Sequence, residues 1–145
     1  MNGKLFLLTL FLFLLLLSAG NAPQPKNTVD NARLITGPTI EAYQDENQTL
    51  KLDSIDWGTC YPGQTRQKTI WLRNNNQTHA QTVNITATNW LPPESRDITF
   101  TATPNNATIL PNNVAPVTVQ ITIPWNPTNR YTKFSFTINI TATDP

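Results

Sequence analysis

Two side chains in this sequence could form a nucleophile and base pair, Cys60 and His79, and each residue type occurs once. A thiol is activated only by a base within hydrogen-bond reach. Cys60 falls in the turn after Trp57-Gly58 and His79 in the polar stretch Asn74 to Ala80. Turns at opposite ends of neighbouring strands keep such residues apart, so both are expected as solvated loop residues. Ser18, Ser54, Ser95 and Ser135 are the remaining hydroxyl candidates, and none stands in a G-x-S-x-G elbow. Asp53 and Asp56 flank one strand and Asp45-Glu46 fall in a loop. Their spacing suits exposed charge better than a general acid and base pair or an oxygen-ligand calcium site. The expectation is a protein that is not an enzyme and holds no cofactor or metal.

Asparagine offers a different chemistry. The N-x-[ST] acceptor for glycosylation occurs at Asn47, Asn76, Asn84, Asn106 and Asn139, while Pro127 excludes Asn126. With 17 Asn and 27 Ser plus Thr, about three such triplets arise by chance. Placement therefore matters more than number. Period two sets Asn84 opposite Val83 and Ile85, sets Asn139 opposite Ile138 and Ile140, and leaves the other three in turns. All five are expected at the surface, open to modification in a host with the machinery. Tryptophan supplies the candidate interaction surface. Trp71 lies on the face opposite Ile70 and Leu72, Trp90 precedes Leu91-Pro92-Pro93, and Trp125 follows Pro124. Exposed indoles stack on sugar rings or fill a partner's pocket, whereas covered ones would cap the ends of a packed fold.

Such surfaces meet partners in the compartment that the N-terminus sets. Lys4 supplies a positive charge, Leu5 to Leu17 is apolar except for Thr9, and Ser18 to Ala22 are small residues suited to a cleavage site. Residues 1-22 read as a secretory signal, with an uncleaved membrane anchor as the alternative, since about 20 apolar residues are needed to span a bilayer. No cysteine follows the small residues, which excludes a lipoprotein anchor. The expected location is secreted or cell-surface. Without residues 1-22 the charges are 10 minus 1 basic against 9 acidic, a net charge of zero. That leaves no basic surface for nucleic acid or an anionic membrane. Thr and Asn together make 40 of 145 residues, so solubility rests on uncharged hydrogen-bonding groups. The single cysteine has no intramolecular disulfide partner, and stability must come from a core.

The elements that would hold these residues are strands. Residues 23-49 carry Pro23, Pro25 and Pro38 with no sustained period and read as a linker, with short strands at Arg33 to Ile35 and Thr39 to Tyr43. From residue 50 to 145 apolar residues recur at period two between Asn, Pro and Gly turns. Trp57 to Asn74 reads as strand, Pro62-Gly63 turn, then strand. A parity change at Asp53-Ser54 implies a bulge or a switch between sheets. Val83 to Ala87, Ile98 to Ala102, Thr108 to Leu110, Val117 to Ile123 and Phe134 to Ala142 follow. About seven strands make an all-β, immunoglobulin-like antiparallel sandwich.

Ile55-Asp56-Trp57-Gly58, Pro62-Gly63-Gln64-Thr65, Lys68 to Asn74, Phe100, Leu110-Pro111-Asn112 and Val117 to Pro124 together resemble the major-sperm-protein and Hydin-type immunoglobulin-like family. The likeness covers about residues 50 to 145 and rests on turn and core signals. Well-known members work inside cells, whereas this chain starts with a secretion signal. It looks more like the single-domain surface versions of archaea and bacteria. The function expected is non-enzymatic, in cell-envelope structure or adhesion, with a protein or an envelope polysaccharide as partner. Two alternatives stand beside it. One is self-assembly into a filament or surface array, with Arg33 to Tyr43 or the terminal strand adding to a neighbour's sheet. The other is glycan binding through the tryptophans. Because the longest strand ends near Pro145, attachment is expected at the N-terminus.

Overall fold

Alternation of branched apolar residues with Thr and Asn produces β-strands over more than half of the described residues. The structure is a computed structural model that describes residues 27–29, 31–125 and 133–145, with no account of side chains before residue 31. The expected leader over residues 1-22 lies outside the described residues. In chain order the strands are β1 (Asn27–Val29), β2 (Ala32–Thr36), β3 (Ile40–Tyr43), β4 (Ser54–Ile55), β5 (Thr59–Cys60) and β6 (Thr65–Asn74). They continue with β7 (Gln81–Leu91), β8 (Thr99–Thr103), β9 (Ala107–Ile109), β10 (Val114–Thr122) and β11 (Lys133–Thr143). A 3-10 turn over Pro93–Asp97 joins β7 to β8.

Two sheets pack as a sandwich. In the four-stranded sheet the order is β3-β6-β10-β8, all antiparallel. The seven-stranded sheet is centred on β11, which pairs antiparallel with β7 and parallel with both β1 and β2. Outside these lie β4 on β2, β5 on β1, and β9 on β7. The facing sides bury Ile70, Leu72, Val117, Val119 and Ile121 from one sheet and Val83, Ile85, Phe134, Ile138 and Ile140 from the other. Outward parity leaves rows of Thr, Asn and Gln on both outer faces.

Residues expected as a linker are part of this core. Ala32 and Ala42 are 0% and 1% exposed, and Leu34 and Ile40 are also buried. Their short runs lack a detectable period because each strand is only four or five residues long. What holds them is pairing to β11 and β6, partners far away in sequence. The parity change at Asp53-Ser54 is a sheet switch. Leu52 N–H donates to the Ala42 carbonyl at 2.8 Å, and the Asp53 carbonyl accepts from Leu34 N–H at 2.9 Å. One residue thus hands the chain from one sheet to the other.

Turn chemistry follows the sequence closely. In Tyr61 to Gln64, Gln64 N–H donates to the Tyr61 carbonyl at 3.0 Å and Gly63 takes φ 79°. In Leu110 to Asn113 the same bond measures 3.1 Å with Asn112 at φ 57°. Proline second and a left-handed third residue are the signature of type II turns. A bulge is the feature that parity alone misses. Between Ser135↔Leu91 and Thr137↔Thr88, β7 carries one more residue than β11, and Asn89 sits there at φ 52°. The extra residue reverses the facing of everything after it.

Candidate binding surface

Trp71 belongs to the outer face of the four-stranded sheet, because its neighbours Ile70 and Leu72 fill the interior. Register places it between two other non-polar residues. Tyr43 of β3 pairs with it on one side and Pro116 of β10 on the other. Trp71 and Tyr43 are half-buried and Pro116 is exposed. At about 4.8 Å per strand the row Tyr43, Trp71, Pro116 extends roughly 10 Å across the sheet.

Polar groups fix one end of this row. Tyr43 Oη donates to Glu41 Oε2 at 2.7 Å, and Lys51 Nζ meets Glu41 Oε1 at 3.0 Å. The side chain of Asn75 bonds to Glu41 first, with Tyr43 and Lys51 adding to it, and together they hold its carboxyl at about 2. The bond to Glu41 in turn pushes the Tyr43 phenol upward. Arg73, two residues past Trp71, donates to Gln48 Oε1 at 2.8 Å. Alongside the row, on its side towards Thr65, lies an uncharged grid. Thr103, Thr118 and Thr69 align across three strands, as do Thr101, Gln120 and Gln67, and then Thr99, Thr122 and Thr65. A platform of ring faces beside hydroxyl and amide groups can stack on and hydrogen-bond a neutral polyhydroxy ligand.

The other two tryptophans lie elsewhere. Trp90 turns inward because the Asn89 bulge reverses its parity, and its ring stacks on Phe136 at 4.3 Å and 18°. That side chain is packing, the covered one of the two roles open to the tryptophans, and not an exposed surface. Trp125 is 76% exposed, with its indole lying against Gly63. It sits past the Thr65 end of the sheet, roughly 20 Å along β6 from Trp71. Tyr43 and Pro116, absent from the sequence-based candidates, are the residues that complete the row. Only strand register could have found them.

The acceptor asparagines divide into two groups. Asn47, Asn84 and Asn106 are exposed. Asn76 and Asn139 are half-buried, against the expectation that all five stand free. Asn76 Oδ1 accepts from Thr78 N–H at 3.0 Å and from His79 N–H at 3.0 Å, an Asx turn that closes the β6–β7 loop. Asn139 Nδ2 donates to Thr88 Oγ1 at 2.6 Å across β11 and β7.

Cys60 and His79 are far apart, at the two ends of the ten-residue strand β6, roughly 30 Å by strand rise. His79 is exposed as expected, but Cys60 is fully buried in β5, and burial pushes its thiol upward in pKa. The alternation Ile55, Trp57, then Cys60 after the Gly58 turn points it inward, not into solvent. The carboxylates hold turns. Asp45 accepts from Thr49 N–H, Thr49 Oγ1 and Leu50 N–H, and Asp56 accepts from Gly58 N–H at 2.8 Å. Ser95 is buried on the Pro92 carbonyl at 2.7 Å. Among the described residues no three His, Cys, Asp or Glu side chains group as metal ligands. A cleft of about 480 Å³ opens between the sheets where β3 ends, lined by Leu52, Ser54, Asp56, Lys68 and Ile70 among others. Among the described residues no helix is long and apolar enough to cross a membrane. Comparison with protein-family models, characterised proteins and solved structures finds no match.

Proposed function

We propose that this chain is a non-enzymatic, immunoglobulin-like domain displayed outside the cytoplasm. It serves cell-envelope structure or adhesion by binding uncharged glycan through the outer face of its four-stranded sheet. The observation that carries this reading is the registered row Tyr43, Trp71, Pro116 next to three rows of Thr and Gln. Ring faces supply apolar contact to the faces of sugars, and the grid supplies donors and acceptors without charge. A net charge of zero for residues 23-145 agrees with a neutral ligand, since the molecule has no excess of either sign to draw an acidic or basic one. Export rests on the apolar run and small residues of the N-terminus.

Binding of purified envelope polysaccharide tests it. Trp71→Ala should weaken affinity about tenfold or more, as loss of a central aromatic anchor does. Trp125→Ala, distant on the molecule, should leave affinity unchanged. Equal binding by wild type and Trp71→Ala would discard the reading.

Glycosylation at Asn84 and Asn139 is compatible with this surface. Asn84 and Asn139 belong to the other sheet, so sugars there would leave the Trp71 face open. Occupancy should favour Asn47, Asn84 and Asn106, whose side chains are exposed. Intact mass and peptide mapping of the native protein would measure it.

A further inference from the structure

Sheet edges present unpaired backbone groups, and soluble proteins blunt them with charge, proline, bulges or shortness. Here four of the edges are blunted. β3 has four residues, includes Glu41, and is bridged at Tyr43 by Lys51. β4 and β5 have two residues each, and β9 has three. Past β9 the flank of β7 is occupied at Ile85, whose N–H and carbonyl both bond to the Asn105 side chain at 2.9 and 3.2 Å. Of the segments expected to add to a neighbour, Arg33 to Tyr43 and the terminal strand, β2 and β11 are paired on both sides, while β3 is the short, charged edge just described.

β8 is different. Its five residues Thr99 to Thr103 carry no charge, no proline and no bulge, and among the described residues they pair with β10 alone. The sequence Thr-Phe-Thr-Ala-Thr is also nearly symmetric about Thr101. Beside it lies an open groove of about 320 Å³ between β7 and β8, lined by Ile85, Ala87, Trp90, Ile98 and Phe100. Its lining has no charge to repel an identical surface.

We infer that β8 is a self-association edge whose occupant is β8 of a second copy of this chain. The two strands run antiparallel about a two-fold axis at Thr101, so that Thr101 faces its counterpart and Phe100 faces Ala102 of the partner copy. The arrangement joins two four-stranded sheets into one of eight strands and uses the same patch on both copies. Each Phe100 then covers the other copy's open groove, and the outer Thr and Gln rows run on across the junction.

The position of Thr101 makes the test specific, because it is exposed and its substitution leaves the interior untouched. Sedimentation of the purified protein, in the form the cell delivers it, should show a dimer fraction rising with concentration. Thr101→Lys and Thr101→Glu each set two like charges face to face and should weaken association about tenfold or more at low salt. Both should melt like wild type, and an equimolar mixture of the two should regain the dimer. A wild type that stays monomeric at every concentration overturns the inference. So does a Lys variant that associates undiminished, or a mixture that stays monomeric.

Discussion

Asn74 shows how a single amide can organise one end of the sandwich. It is fully buried, and its Nδ2 donates to the carbonyls of His79 at 3.0 Å and Ile109 at 3.0 Å, with Leu110 at 3.3 Å. Its Oδ1 accepts from Asn76 N–H at 2.9 Å. Replacing it strands several buried groups at once, at about 1 to 3 kcal/mol for each one left unpaired. Asn74→Ala should therefore lower stability by roughly 2 to 4 kcal/mol, measured as a shift in the denaturant midpoint. Glu41 is the second residue with a measurable signature. Folding lowers its pKa from 4.5 to about 2, so its contribution is complete above about 4.5 and is lost as pH falls to about 2. Lys51 is 58% exposed and Glu41 31%, so solvent screening reduces the contribution to about 1 kcal/mol. Glu41→Gln should flatten that part of the stability profile, and an unchanged acid slope would show that the Asn75, Tyr43 and Lys51 contacts add nothing.

At the scale of elements, the strand β7 depends on Asn89. A left-handed backbone suits asparagine and glycine and opposes branched residues by about 1 to 2 kcal/mol. Asn89→Val should destabilise by that amount and disturb the Trp90–Phe136 stack, while Asn89→Gly should keep the near-ultraviolet dichroism of wild type. The same bulge explains what was legible in the sequence. Period two identified β6, β7, β8, β10 and β11, and Pro62-Gly63 and Pro111-Asn112 marked their turns, because these signals are local. The facing of Trp90 was not legible because one unpaired residue inverts facing without changing composition. Cys60 was misplaced because Gly58 at φ 68° redirects two residues that resemble a turn. The Trp71 face was half legible. Its outward parity could be read from Ile70 and Leu72, but Tyr43 and Pro116 lie 28 residues before and 45 after it, and only pairing brings them together.

For the whole molecule the decisive question is where the folding unit begins, because the sandwich closes with its first strands against its last. β1 and β2 lie along β11, and β3 forms an edge of the opposite sheet. A chain started at Leu50 would lose Ala32, Leu34, Ile40 and Ala42 from the core. Burial of Leu34 and Ile40 alone is worth about 1.5 to 3 kcal/mol each. The same cut would strip β11 and β6 of the backbone partners that β2 and β3 supply. Against a total of roughly 5 to 15 kcal/mol for a domain, these losses together consume most of the margin. They also open one flank of β11, a long strand carrying Phe134, Phe136, Ile138 and Ile140 that is then prone to pair with other chains. The chain begun at Leu50 should therefore lack a cooperative melt and aggregate, whereas one begun at Asn27 keeps every described strand and should melt cooperatively. Thermal denaturation followed by circular dichroism separates the two. A cooperative transition in the shorter chain would show that β1 to β3 are appended to the core and not required by it.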